Sequence, residues 1–209
     1  MTRWLWLVIS ASVAACGGGD DVVGDPDAAG GDAGFDSTLC ERIGLPRSGP
    51  RLGVVSFPYT ASRENANTYR LFTLDETGST ITLSGSTFEM GRSTIGTVVF
   101  TPDGELGFVA QEDGSIGVFR LAGAQAEVLH ARFQGSFYAE RLVMGDLGQY
   151  LYVVDPNTRA NGGGIYRVRI GCDDTISDDG LWLAGSSLGE PLFSGGRLVV
   201  PARELGGTS

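Results

Sequence analysis

Residues 98–121 read VVFTPDGELGFVAQEDGSIGVFRL, and this stretch predicts the fold. Runs of β-branched and aromatic residues alternate with turn residues, a pattern typical of short strands. Two dipeptides, Asp103-Gly104 and Asp113-Gly114, favour tight turns because glycine readily adopts the left-handed backbone conformation. The stretch therefore predicts three antiparallel strands joined by two tight turns, and residues 126–133 predict a more variable fourth strand.

A second copy of this pattern covers residues 142–170, which begin LVMGDLGQYLYVV and end GGIYRVRI. The offset between the copies is 44 residues at Gly148, which aligns with Gly104, and 49 residues at the end of the copy. The additional residues fall in the turn over residues 156–163, where a hairpin tolerates them. A weaker copy precedes both at residues 53–74. Four strands that repeat every 40–50 residues are typical of β-propeller blades.

A further copy begins at residues 196–206, GRLVVPARELG, and stops where its next strand should start. The strand over residues 198–200 would then have no following partner, and propellers avoid such open edges by closing a ring. We therefore expect an all-β chain that forms a partial β-propeller, with about three and a half blades of four-stranded antiparallel sheet. The chain would be a truncated product or a partial gene. A β-sandwich with fortuitous Asp-Gly turns is the alternative.

The copy at residues 98–121 resembles the repeat of the YVTN and lactonase-like β-propellers, whose blades carry a Ser-Pro-Asp-Gly turn and a second Asp-Gly hairpin. The present chain has Thr101 at the serine position. In the enzymes of that family, the resemblance implies a site over the central channel that draws polar residues from several blades. Glu112, Arg141 and Asp155, at the ends of inner strands, are the candidates for such a site, although no motif fixes them.

The N-terminus has the three parts of a secretory signal: a basic start at Arg3, an apolar run, and small residues before a cleavage point. The run is too short to span a bilayer, which takes roughly 20 residues. Val13-Ala14-Ala15-Cys16 resembles the lipobox of bacterial lipoproteins, which implies that Cys16 is acylated and becomes the first residue. We therefore predict a signal peptide over residues 1–15, a lipid-anchored linker over 16–48, and an incomplete propeller domain over 49–209.

The linker is rich in glycine and aspartate, with six aspartates and no basic residue between positions 17 and 39. Such a segment buries too little apolar surface to fold, and its like charges extend it.

The whole chain carries a formal charge of −10, which disfavours nucleic acid as a partner. Gly17 stands where the retention signal of enteric lipoproteins places Asp, so the outer membrane is favoured. The sequence does not indicate whether the protein lies on the periplasmic or the surface face of that membrane.

The sequence contains no convincing catalytic or metal-binding motif. Residues 185–189 match G-x-S-x-G, but Glu190-Pro191 opposes the helix that a nucleophilic serine needs, and the lone His130 lies upstream. A single histidine does not make a zinc or iron site. Four aspartates after residue 170 could bind calcium, although solvated turns are the default; they are Asp173, Asp174, Asp178 and Asp179. We expect no catalytic residue, cofactor or metal.

Cys40 and Cys172 remain once Cys16 is acylated, and in an oxidising compartment such a pair suggests a disulfide. The sequence does not show whether they lie within bonding distance. The leading hypothesis for function is an envelope-anchored propeller that binds a protein or a glycan without being an enzyme. The alternatives are a lactonase-like propeller enzyme and a non-functional truncated remnant.

Overall fold

Every regular element of the described chain is a β-strand. The computed structural model describes residues 4–10, 39–44, 51–56, 67–92, 94–156, 163–185, 188–189, 191–194 and 197–203. The strands are β1 Trp4–Ser10, β2 Arg51–Ser56, β3 Thr68–Leu74, β4 Ile81–Glu89, β5 Thr94–Phe100, β6 Leu106–Gln111, β7 Ile116–Ala122, β8 Gln125–Phe133, β9 Arg141–Met144, β10 Tyr150–Asp155, β11 Gly164–Ile170, β12 Ile176–Ala184, β13 Leu192–Ser194 and β14 Arg197–Arg203. Within these ranges no helix is long and apolar enough to cross a membrane.

The strands form four antiparallel sheets, numbered I to IV in chain order. Sheet I has the order β2-β3-β4, sheet II β5-β6-β7-β8, sheet III β9-β10-β11-β12, and sheet IV β13-β14-β1. Sheets II and III are complete four-stranded blades in which successive strands are neighbours, as the repeat predicted. In the described part of the chain, no strand pairing links sheet IV to sheet I. The all-β partial propeller is therefore confirmed, and a β-sandwich is not what the chain forms.

The two Asp-Gly turns have the backbone conformation that the sequence predicted. Gly104 has a φ of 72° in the turn between β5 and β6, and Gly114 has a φ of 80° in the hairpin between β6 and β7. Residues with a Cβ atom rarely adopt a positive φ of this size, so glycine is favoured at both positions. Gly148 has a φ of 67° at the position aligned with Gly104, which extends the equivalence to sheet III.

Cross-strand pairs at the centres of sheets I, II and III combine side chains of different sizes. Gly107 pairs with Phe119 in sheet II, and a Cβ atom on the glycine would overlap the phenylalanine ring. Gly53 and Phe72 repeat this arrangement in sheet I. The aligned pair in sheet III consists of two medium-sized buried residues, Leu151 and Val168. Because cores are close-packed, the large ring tolerates only a residue without a side chain opposite it.

The apolar cores lie between consecutive sheets. All six residues of β6 are buried, because its two faces contact different neighbours. Phe108 and Val118 pack with residues of sheet III, whereas Val109 and Phe119 pack with residues of sheet I. This two-residue alternation places sheet II between its neighbours. Blades packed face to face in this way are the architecture of a propeller.

Strand β14 has a partner that the sequence analysis did not foresee. It pairs antiparallel with β13 on one side and with β1 on the other, so the expectation of an unpartnered strand over residues 198–200 is wrong for the full chain. Strand β14 corresponds to the second strand of the aligned blades. In those blades the third strand occupies the position that β1 takes beside β14. Strand β1 lies within the predicted signal peptide, whose removal stays a prediction. Processing at Cys16 would remove this pairing from the mature protein.

The sheets have two distinct ends. We call one the turn end; it carries the tight turns over residues 101–105 and 145–149 and the hairpin over 171–175. We call the opposite one the loop end; it carries the hairpin over residues 111–115 and the connector over 134–140 between sheets II and III. Antiparallel pairing fixes this division, because alternate strands begin at the same end.

Candidate functional site

The loop end is built around the hairpin that joins β6 to β7. Gln111 and Ser115 close it with a backbone hydrogen bond of 3.0 Å, and the Ser115 hydroxyl donates to the Gln111 amide oxygen at 2.9 Å. The Gln111 amide nitrogen donates in turn to the carbonyl of Ala131 on the neighbouring strand, at 3.1 Å. Gln111 and Ser115 are fully buried, so these bonds satisfy polar groups that water does not reach. The hairpin is therefore rigidly attached to sheet II.

Asp113, at the tip of this hairpin, is the electrostatic centre of the loop end. Its carboxylate forms ion pairs with Arg132 and, at 3.7 Å, with Arg92. Partial burial of the carboxyl raises its pKa, but hydrogen bonds from Ser115 and the charge of Arg132 outweigh this, and the net pKa lies below the usual value. Arg92 and Arg132 keep about half of their side chains exposed, so the ion pairs are open to solvent.

The connector from sheet II to sheet III crosses this hairpin. The Tyr138 ring lies against Gly114, where a side chain would overlap it, and the Tyr138 hydroxyl donates to the carbonyl of Glu112 at 2.6 Å. The Ala139 amide donates to the carbonyl of Gly114 at 2.9 Å. The Tyr138 amide donates to the Asp155 carboxylate at 2.9 Å. One short segment thus ties the loop ends of two blades together.

The structure brings the three candidate residues of the lactonase-like hypothesis to the loop end, but it gives two of them structural contacts. Asp155 is 2% exposed and accepts the hydrogen bond from Tyr138. Arg141 donates to the carbonyl of Leu188 at 3.2 Å and pairs with Glu140 at 3.2 Å. Glu112 is exposed, and its backbone carbonyl holds Tyr138. The sequence placed all three at the ends of inner strands, and the structure adds that Asp155 and Arg141 contact segments outside their own strands.

The G-x-S-x-G match lies between two strands. Gly185 follows β12, Leu188 is buried, and the next described element is strand β13. Ser186 and Ser187 lie outside the described residues. A nucleophilic serine of the α/β-hydrolase type requires a strand followed by a helix, and this segment leads from strand to strand. His130 is on the outer strand β8, partly buried, with its ring 6.1 Å from that of Phe133.

The four aspartates after residue 170 have separate roles. Asp173 accepts hydrogen bonds from the amide and hydroxyl of Thr175, and both lower its pKa. Asp178 accepts from the amides of Ser136 and Gly180. Asp179 pairs with Arg167 and Arg169, and Asp174 pairs with two other arginines. Within the described ranges, no three histidine, cysteine, aspartate or glutamate side chains are grouped as metal ligands.

At the turn end, a covalent bond attaches the segment that precedes the propeller. Cys40 and Cys172 form a disulfide across 132 residues of sequence, with their Cα atoms 5.0 Å apart. We call residues 39–44 the clasp segment. The disulfide joins it to the hairpin that follows β11, at the turn end of sheet III.

Arg42 adds an electrostatic contact to this covalent one. Its side chain is 9% exposed, pairs with Asp174, and lies 3.6 Å from the Asp103 carboxylate. It also donates to the carbonyl of Gly171 at 3.1 Å. Arg120 contacts the other oxygen of Asp174, with its Nε at 2.8 Å. Because Asp103 belongs to sheet II and Asp174 to sheet III, Arg42 links the turn ends of two blades.

Surface depressions lie at the turn end and between two outer strands of the described chain. One has a volume of about 480 Å³ and lies beside the disulfide at the turn end. Its lining includes Arg169, Asp173 and Ser177. The other has a volume of about 250 Å³ and lies between β4 and β8, next to Phe88 and Gln125. Neither contains a residue that the sequence analysis proposed for catalysis.

Sequence reasoning missed the Arg42–Asp174 contact, although one signal was present. Arg42 follows Cys40 by two residues, and Asp174 follows Cys172 by two residues. If the cysteines bond, two oppositely charged side chains necessarily lie nearby. The sequence does not show whether the two cysteines bond, so the contact between Arg42 and Asp174 could not be predicted from it.

Comparisons with known proteins address the fold. No protein-family model and no curated protein matches the sequence. Among solved structures, a "putative 6-phosphogluconolactonase" from Bacteroides uniformis ATCC 8492 superposes with a TM-score of 0.55 at 16% identity, over 66% of this chain and 42% of that one. A protein of the same description from Bacteroides fragilis NCTC 9343 gives a TM-score of 0.47 at 17% identity, over 72% and 47%. The chain thus spans less than half the length of these two proteins. The first comparison shows a lactonase-like β-propeller fold, and among the residues that the structure describes the sheets do not close into a ring.

Proposed function

We propose that this protein is a lipid-anchored lipoprotein of the bacterial cell envelope, favoured at the outer membrane, that presents a β-propeller for binding a protein or a glycan. The observation that supports the proposal best is the attachment of the clasp segment. Cys40 lies within the predicted linker, directly after its acidic stretch over residues 17–39, and is covalently joined to Cys172. A lipid on Cys16 would therefore be connected to the propeller through a spacer that ends at a fixed point.

The contacts at the loop end favour binding over catalysis. Asp155 is buried and Arg141 holds a backbone carbonyl, so using either residue in a reaction would disturb the joint between blades. The exposed side chains around them, Glu112, Arg92 and Arg132, can meet a partner from solution at little structural cost, since the two arginines remain half exposed in their ion pairs with Asp113. Charged groups of both signs on a rigid frame are suited to selective recognition.

Acylation is tested by expressing the full chain in a bacterial host with labelled palmitate. We expect the label on the parent protein and none on Cys16→Ser. Cys40→Ser serves as the matched control, because it removes a different cysteine and should keep the label. Equal labelling of parent and Cys16→Ser would contradict the anchor.

The second candidate is a lactonase-like enzyme, which the description of the two similar structures favours. Glu112, Arg141 and Asp155 would be the groups at its site. The test is hydrolysis of 6-phosphogluconolactone by the purified protein, measured against the spontaneous rate and against Asp155→Asn and Glu112→Gln. We expect no acceleration. A rate enhancement that Glu112→Gln abolishes in a folded protein would establish the enzyme instead.

A further inference from the structure

We propose that the turn end of the propeller faces the membrane and that the loop end points away from it, into the aqueous compartment. This orientation rests on the proposed anchor at Cys16 and adds which end of the propeller faces the membrane. It follows from the point at which the spacer joins the folded domain, and that point is defined by the contacts of the clasp segment.

The clasp segment contacts the turn end. The disulfide bonds Cys40 to Cys172 in the hairpin after β11, and the Arg42 amide donates to the carbonyl of Leu147 in the turn before β10, at 2.8 Å. The Arg42 side chain reaches Asp103 in the corresponding turn of sheet II. Three separate turns of two sheets therefore hold residues 40–42, and each belongs to the same end.

The chain also enters sheet I from this side. Strand β2 begins at Arg51 opposite Leu74, the last residue of β3, and the hairpin between β3 and β4 follows Leu74. The other end of this sheet lies beside the loop end of sheet II, because Gly91 donates to the carbonyl of Ala131 at 3.1 Å. Arg51, the first residue of β2, thus lies at the turn end, as the clasp segment does.

The length of the spacer, compared with the height of a blade, allows the attachment point to bias the orientation of the propeller. A random-coil chain of 24 residues has a root-mean-square span of roughly 27 Å, and like charges extend such a chain. Strand β6 separates the two ends of sheet II by about 20 Å over its six residues. Because these lengths are similar, an anchor fixed at the turn end keeps that end nearer to the lipid on average. Exposed carboxylates at the turn end, such as Glu105, do not favour adsorption to anionic headgroups, so the spacer sets the distance.

The chain offers an unusually clean test because it contains no lysine. Glu105→Lys and Glu112→Lys each introduce one amine, with the same change in charge, at exposed positions on either side of β6. Glu105 lies at the turn end and Glu112 at the loop end. An amine-reactive donor dye on either lysine reports distance to acceptor-labelled headgroups in neutral phosphatidylcholine vesicles that carry the lipidated protein. The parent protein, treated with the same dye, gives the background from the N-terminus.

We expect energy transfer from the Glu105→Lys label to exceed that from the Glu112→Lys label roughly twofold, given the spacer and strand lengths. Equal transfer, or greater transfer from Glu112→Lys, in protein that floats with the vesicles would overturn the orientation alone. Protein that does not float with vesicles, and whose behaviour Cys16→Ser leaves unchanged, would overturn the anchor and the orientation with it. Thermal melting of both labelled variants verifies that each retains the parent fold.

Discussion

At the turn end, a disulfide and a nearly buried arginine join the clasp segment to two blades, whereas the loop end relies on hydrogen bonds and half-exposed ion pairs. Arg42 is 9% exposed, and Arg132 is 49% exposed. Solvent and salt weaken an exposed pair far more than a buried one. The chain therefore concentrates its covalent and least exposed ionic contacts where the clasp segment is attached. The opposite end keeps charged side chains available.

Removing the disulfide should have the largest effect on this difference. Cys40→Ser with Cys172→Ser opens a loop of 132 residues, and loop-closure entropy predicts a loss of about 4–5 kcal/mol in the free energy of unfolding. Urea unfolding of the lipidated protein measures it. A reducing agent should destabilise the parent by a similar amount and leave the double variant unchanged. A loss below about 1 kcal/mol would mean that the clasp segment contributes little to stability.

Arg42→Ala should have the next largest effect. It leaves the Asp174 carboxylate with Arg120 alone and removes a link between sheets II and III, so we expect a loss of about 3 kcal/mol. The matched control is Arg51→Ala, which changes an exposed arginine at the same end and should cost less than about 0.5 kcal/mol. Similar losses from both variants would remove the distinction between the clasp contacts and ordinary surface charge.

At the loop end, Tyr138→Phe should cost only about 1 kcal/mol, because it removes one hydrogen bond and keeps the ring against Gly114. Tyr150→Phe is the control, since Tyr150 contacts Arg167 through its ring, at 4.8 Å. Calorimetric melting compares the two variants. A loss from Tyr138→Phe as large as that from Arg42→Ala would show that the two ends are equally fixed.

The fold could be predicted from the repeat, because residues close together in the sequence determine each strand and turn of a blade. Asp113-Gly114 determines a hairpin, and the alternation in β6 determines which side chains face each neighbouring sheet. The Gly107–Phe119 pair is equally local once the strands are aligned. The clasp segment could not be predicted in this way, because Arg42 and Asp174 are separated by 132 residues and no periodicity relates them. Pairing of β1 with β14 was missed for a similar reason: hydrophobicity assigned residues 4–10 to a signal, and periodicity carries no information about strands from the opposite terminus.

The smallest expected effect concerns Asp113 and the pH dependence of the loop end. The pKa of this carboxyl is lowered in the folded protein, so its contribution to stability is present above the unfolded pKa of about 4 and is lost as the pH falls through the folded pKa. Asp113→Asn should therefore reduce the free energy of unfolding by less than about 1 kcal/mol at pH 7, since its arginine partners are half exposed. The difference from the parent should shrink below pH 4. Glu112→Gln removes a carboxylate at the adjacent exposed position and serves as the control for the change in charge. Urea titrations between pH 7 and pH 3 measure all three proteins, and an Asp113→Asn difference that grows on acidification would contradict the sign of the shift.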